Sequence, residues 1–140
     1  MAGVLTLRVI TPDRIALDTQ VQSVRVPGAS GALGILPRHA PMVAALDPGI
    51  LYYTTDGTKH ALCISGGFAE VRGETVRVVT EAGEHPSEID EARARAAEQR
   101  ARERIAAGRA GEGDPIDMLR AEAALKRALV RLSAREHHGE

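Results

Sequence analysis

The sequence predicts an α+β protein, an N-terminal antiparallel β-sandwich followed by a C-terminal two-helix antiparallel hairpin. Three observations carry this. Up to Pro86 the chain is a succession of short runs in which apolar and polar residues alternate between glycine, proline and Asp-Gly breaks, the pattern of half-buried strands. At Glu84-His85-Pro86 the strand formers vanish, and Ala, Arg and Glu dominate to the end. Glycines 108, 111 and 113 then divide this second part into two helical stretches. The expected domains are therefore residues 1–86 and 87–140. The first is long enough for a small sandwich of modest stability.

Val4 to Ile10 is the first strand, with Leu5, Leu7 and Val9 on one side of the pleat and Thr6 and Arg8 on the other. Thr11-Pro12-Asp13-Arg14 turns the chain into a short run, Ile15 to Leu17. Gln22 to Val26 places Val24 and Val26 on one face, and Pro27-Gly28 is expected to end it. Met42 to Leu46 and Ile50 to Thr55 read as two strands separated by a turn at Asp47-Pro48-Gly49. Asp56-Gly57 joins the second of these to Lys59 to Ser65, the strongest hairpin signal in the chain. After Gly66-Gly67, Phe68 to Arg72 and Thr75 to Thr80 form another hairpin across Gly73-Glu74, with Val76 and Val78 on one face.

Between these strands lies Gly28 to Met42, too rich in glycine and proline for a helix and too apolar for a disordered linker. It reads either as a turn-rich connection or as a rigid loop that presents Arg38 and His39, between Pro37 and Pro41, to a partner. A phosphate cradle does not fit. The glycines fall as G-x-x-G-x-x-G, no Lys-Ser/Thr follows, and the two prolines forbid the helix whose N-terminus would hold the anion.

In the second part, Ser87 with Asp90 three residues later suggests an N-cap, and the first helix is expected to stop at Gly108. Asp114 and Pro115 suit the cap and first position of a second helix reaching about Arg135, with His137 to Glu140 as a frayed tail. Met118, Ala121, Leu125, Ala128 and Leu132 form one narrow apolar seam; Ala94, Ala97, Ala101 and Ile105 face it from the first helix. A buried alanine methyl contributes ~0.8 kcal/mol where a leucine gives ~1.5–3. Two readings follow, a static hairpin with a solvated face, or a movable one whose closure a ligand could decide.

Composition narrows the function. With 44% hydrophobic residues and a formal net charge of -1, the chain is no basic nucleic-acid binder, and 2% aromatics without tryptophan gives no stacking platform. The single cysteine, Cys63, falls in an alternating apolar run and reads as buried and inert. Neither a leader sequence nor a run of ~20 apolar residues is evident, so membrane association is expected only through a partner. No nucleophile elbow or metal-ligand spacing supports catalysis.

The loop Gly28 to Met42, then Asp47-Pro48-Gly49, Ser65-Gly66-Gly67-Phe68-Ala69-Glu70-Val71, Ile89-Asp90-Glu91-Ala92-Arg93-Ala94 and Leu125 to Ser133, in this order, resemble the epsilon subunit of bacterial F-type ATP synthases across essentially the whole chain. The resemblance implies a non-catalytic rotor subunit of the central stalk, peripheral on the cytoplasmic side of the inner membrane. Its sandwich would bind the gamma subunit and the c-ring. Its hairpin would lie folded or extend toward the alpha and beta catalytic subunits and inhibit ATP hydrolysis. No cofactor is required, but ATP is implied as a regulatory ligand.

The family's nucleotide positions map onto Glu84, Ile89, Asp90, Arg93, Ala94, Arg100, Arg127 and Arg131, and its rotor-ring contact onto Arg38 and His39. Arginines four apart share a helix face and can hold phosphate oxygens, while carboxylates accept from an adenine amino group. Ala32 replaces a glutamate found in some members, Arg38 a common glycine, and the Gly108 to Pro115 connection is long. The alternative function is a sandwich-plus-hairpin adaptor, or ATP-sensing module, of another complex.

Overall fold

The computed structural model describes residues 3–111 and 115–138. The first unit, Met1–His85, holds strands β1 (Leu5–Ile10), β2 (Ile15–Val21), β3 (Ser23–Gly28), β4 (Gly31–Ile35), β5 (Met42–Thr55), β6 (Thr58–Arg72), β7 (Thr75–Val79) and β8 (Gly83–Glu84). Their order is β2-β1-β7-β6-β5-β3-β4, with β8 on β6. Described pairs are antiparallel except β1 with β7, which run parallel, Leu7 beside Val76 and Val9 beside Val78.

Only Gln22 separates β2 from β3, yet these strands lie far apart in the order, so the sheet must fold back on itself. Hydrogen bonds close it: Gln22 N–H donates to Thr54 O (2.7 Å), and Thr55 Oγ1–H to Gln20 O (3.1 Å). The alternating residues point inward as expected. Leu5, Leu7, Val9, Val24, Val26, Val76 and Val78 are all buried, each worth ~1.5–3 kcal/mol against exposure.

The fold corrects the expected turn at Asp47-Pro48-Gly49 and the break at Gly66-Gly67. Both lie inside continuous strands, and β5 and β6 pair in one register from Met42↔Val71 to Thr55↔Thr58. These residues form a corner. A Cβ on Gly49 would come within 2.6 Å of Pro27 Cβ, and Gly66 and Gly67 have φ of +96° and +104°. Opposite Pro48, the Ser65 N–H turns to Thr80 Oγ1 (3.1 Å) and Ala82 O (3.3 Å), so the ladder is interrupted where proline cannot donate. Two smaller corrections have the same tertiary origin: β2 continues to Val21 along β1, and β3 continues through Pro27-Gly28 because β4 pairs with it there. Asp56-Gly57 forms the expected hairpin turn, both residues having positive φ.

The second unit, Pro86–Glu140, opens with a 3₁₀ turn (Pro86–Glu88), then α1 (Glu91–Arg109) and α2 (Pro115–His138). Asp90, not Ser87, caps α1: its Oδ1 accepts the Arg93 N–H at 3.0 Å, because the 3₁₀ turn delays the helix by one turn. Gly108 does not end α1. The helix passes through it to Arg109, and Gly111, at φ +83°, makes the left-handed exit. Gly108 is needed for packing, since a Cβ there would overlap Met118 Sδ and Cγ. The expected cap Asp114, with Gly113, and the tail residues Gly139-Glu140 lie outside the described residues; α2 itself extends past Arg135 to His138. The helices run antiparallel, with Gly108 against Met118 at one end and Arg135 Nη1 donating to Ser87 O (3.3 Å) at the other. Their seam is made of small residues: Ala94, Ala101 and Ile105 on α1 and Ala121 and Ala128 on α2 are buried, while Ala97, Met118, Leu125 and Leu132 are half-buried.

Candidate functional site

In the helical unit, the motif residues divide by task. Ile89 is buried, Ala94 lies in the seam, and Asp90 caps α1, so three of the expected nucleotide residues hold the start of the helix in place. Arg93 and Arg100 are exposed, and Arg127 and Arg131 are half-buried. Successive helical residues turn by about 100°. Arg93 and Arg100, seven apart, therefore share the flank beside Ala97, and Arg127 and Arg131, four apart, share the flank beside Ala124. Because the helices are antiparallel, these flanks open on the same side of the hairpin. The fold thus brings four of the expected arginines to one face. Glu84 belongs to the sandwich unit, in β8, where it pairs with Cys63 of β6.

Arg104 and Arg120 belong to the same two flanks by the same periodicity, four residues from Arg100 and seven from Arg127. Neither belongs to the expected nucleotide set, although the same spacing places both on its face. The opposite face differs in charge. There Arg95 pairs with Glu91 (2.8 Å) and Arg102 with Glu98 (3.0 Å), around an open groove of about 460 Å³ lined by Glu91, Arg95, Glu98, Leu132, Arg135 and Glu136. None of the expected nucleotide residues lines it.

In the sandwich, Leu36-Pro37-Arg38-His39 is a β-turn closed by His39 N–H to Leu36 O at 3.2 Å. Arg38 has φ +68°, the third-position conformation of a type II turn, which favours glycine. That is the physical reason for glycine at this place in the resemblance. The His39 ring is held by its own neighbour, Nδ1–H donating to Ala40 O at 2.7 Å. Exposed apolar side chains surround this segment in the chain. Leu36 is 63% exposed and Val43 70%, and Val4 follows Gly3, which lies against Pro37. The hairpin tip Gly28–Leu33, with Ala32 in it, borders a shallow pocket of about 270 Å³ against Ala44 and Ala45.

Residues 4–86 match the family pattern described as "ATP synthase, Delta/Epsilon chain, beta-sandwich domain", and residues 87–136 match its "long alpha-helix domain". An ATP synthase epsilon chain of Nitratidesulfovibrio vulgaris (strain DP4) is 44% identical over 131 residues, covering 94% of this chain and 95% of that one. One from Lawsonia intracellularis is 50% identical over 101 residues, covering 72% and 76%. Among solved structures, a chain of the Euglena gracilis mitochondrial ATP synthase, OSCP/F1/c-ring in rotational state 1, superposes with a TM-score of 0.79 at 27% identity, over 98% of this chain and 84% of that one. With both domains matched in order and full-length relatives at this identity, the chain belongs to the ATP synthase delta/epsilon-chain family.

Proposed function

We propose that this chain is a non-catalytic rotor subunit that links gamma to the c-ring and restrains ATP hydrolysis through its helical hairpin. The observation that carries the reading is the likeness, over 98% of this chain, to a subunit of an F1/c-ring assembly. It favours the rotor over an adaptor of another complex. No helix among the described residues is long and apolar enough to cross a membrane. In this reading the chain meets the membrane's cytoplasmic face through its partners in the complex. The Arg38-His39 turn, with Leu36, Val43 and Val4, supplies the rotor-ring contact: a polar tip on an apolar surround. The hairpin holds ATP on its arginine face, with Arg93, Arg100, Arg127 and Arg131 on the phosphates.

Reconstitution with alpha, beta and gamma subunits tests this. A chain ending near Pro86 should still bind gamma, because the sandwich has its own core, and should permit faster ATP hydrolysis than the full chain at equal occupancy. Equal rates at low and high ATP would remove the inhibitory role. Replacing Arg38 and His39 together with Ala should leave folding intact and weaken coupling with the membrane sector; unchanged proton pumping would remove the contact. Failure of the unaltered chain to bind ATP at millimolar concentration would remove the nucleotide site alone.

A further inference from the structure

The arginine face is longer than the nucleotide reading requires. Arg93 and Arg104 are eleven residues apart on α1, roughly 16 Å along the axis, and Arg120 to Arg131 runs back over the same length on α2. Between those limits the two flanks carry, besides arginine, the alanines 96, 97, 123 and 124 and, at their outer edges, Val130 and Glu103, whose Oε1 accepts from Gln99 Nε2 at 3.1 Å. No hydrogen bond or ion pair forms at the guanidinium groups of Arg93, Arg100, Arg104, Arg120 and Arg127 among the described residues, whereas Arg95 and Arg102 on the other face are each neutralised by a glutamate four residues earlier. Like charges set along one face repel, so this row costs stability until an anion covers it.

We propose that the hairpin binds a linear phosphate chain longer than a triphosphate, with Arg104 and Arg120 forming the far end of the site. This extends the nucleotide reading of the same face. A triphosphate held at the Arg93 end leaves Arg104 and Arg120 unused. A longer chain, free or carried on a nucleoside, lies in the shallow trough over Ala97 and Ala124 and meets guanidinium groups from both helices along its length. Planar guanidinium forks suit the two-oxygen edge of each phosphate, and small alanine side chains let the chain approach the helix backbones. Such a ligand crosses from one helix to the other and so holds the hairpin closed.

Calorimetric titration of the full chain with tripolyphosphate, long-chain linear polyphosphate, ATP and adenosine pentaphosphate tests this. The long chain should bind roughly tenfold or more tightly than tripolyphosphate, with a steeper loss of affinity on adding salt. The double variant Arg104→Gln/Arg120→Gln should erase that advantage while leaving ATP affinity within about twofold, a change small on the scale of a charge-assisted contact. On the opposite face, Arg95→Gln/Arg102→Gln should alter neither. Circular dichroism checks that all variants remain helical. Equal affinity for short and long chains would overturn the proposal, as would equal losses from the two double variants, since both results mean unspecific charge attraction. Acidic polyglutamate matching the long phosphate chain would overturn the phosphate assignment. Tighter binding of adenosine pentaphosphate than of the free chain assigns a nucleoside-borne ligand, and the reverse a free one; either supports the site. Length dependence without ATP binding would sink the nucleotide reading and leave this one standing, and ATP binding without length dependence would do the opposite.

Discussion

Asp90 provides the sharpest separation of structural from ligand roles, because its Oδ1 is committed to the Arg93 N–H at 3.0 Å. Replacing it with Ala leaves an uncapped donor at the start of α1 and should cost about 1 kcal/mol. In a helix pair whose buried seam is largely alanine, each methyl contributing ~0.8 kcal/mol, that loss is a substantial part of closure. One kcal/mol changes a population ratio about fivefold. If ATP binds only the closed hairpin, apparent affinity in Asp90→Ala should fall by up to about that factor, in proportion to the closed fraction lost. Asp90→Asn and Asp90→Ser retain a capping oxygen and should restore both helix stability and affinity. Thermal melts followed by far-UV circular dichroism read the first quantity, and calorimetric ATP titration reads the second. Indistinguishable melts for the Ala and Ser variants would refute the capping argument. A Ser variant with intact helices but affinity as poor as that of the Ala variant would show that the carboxylate meets the nucleotide directly.

Gly67→Ala should destabilise the sandwich by about 3–5 kcal/mol, since φ +104° is strained for alanine and the new Cβ would overlap the Val79 carbonyl, forcing β6 from β7; Gly73→Ala, with open space around it, should cost only about 1 kcal/mol in chemical denaturation. Arg38→Gly should raise stability by roughly 0.5–1 kcal/mol, the left-handed penalty removed less the chain entropy added, while Arg38→Val should lower it. Burial holds the Tyr53 phenol above its usual value of 10.0, so the folded state retains that proton longer than the unfolded one. Stability from this source is complete below pH ~10 and is lost as pH rises through the folded value, so Tyr53→Phe should flatten the alkaline part of the unfolding profile.

Alternation was enough to read the sandwich core: Leu5, Leu7, Val9, Val24, Val26, Val76 and Val78 all point inward as their spacing requires. What local chemistry could not reveal was how the sheet closes. Asp47-Pro48-Gly49 and Gly66-Gly67 have the composition of turns, yet they lie in register across two long strands, where they make the corner that folds the sheet over. Only the approach of Pro27 to Gly49 and of Val79 to Gly67, contacts distant in sequence, distinguishes a corner from a turn. Gly108 was misread for the same reason. A helical glycine near a loop looks like a stop, and the close approach of Met118, ten residues on, is what it serves. The start of α1 moved from Ser87 to Asp90 because a 3₁₀ turn, legible in neither residue, comes first.

The arginines of the hairpin show how helix phase converts a charge-rich sequence into two chemically different faces. Glutamates 91 and 98 stand four residues before Arg95 and Arg102, the favourable order for pairing on a helix, and the pairs form. Arg104 has Arg100 at that position, Arg100 has Ala96, and Arg127 has Ala123. The spacing that neutralises one face therefore leaves the other positive, although the whole chain carries a formal net charge of only -1. Antiparallel packing then sets the positive flank of α1 beside that of α2 instead of on the far side of the bundle. A face built this way has little use in a static helix pair, where opposite charges would stabilise closure better. In the proposed reading it suits a hairpin whose closure a polyanion from outside would favour, so that ligand and conformation would be two sides of one equilibrium.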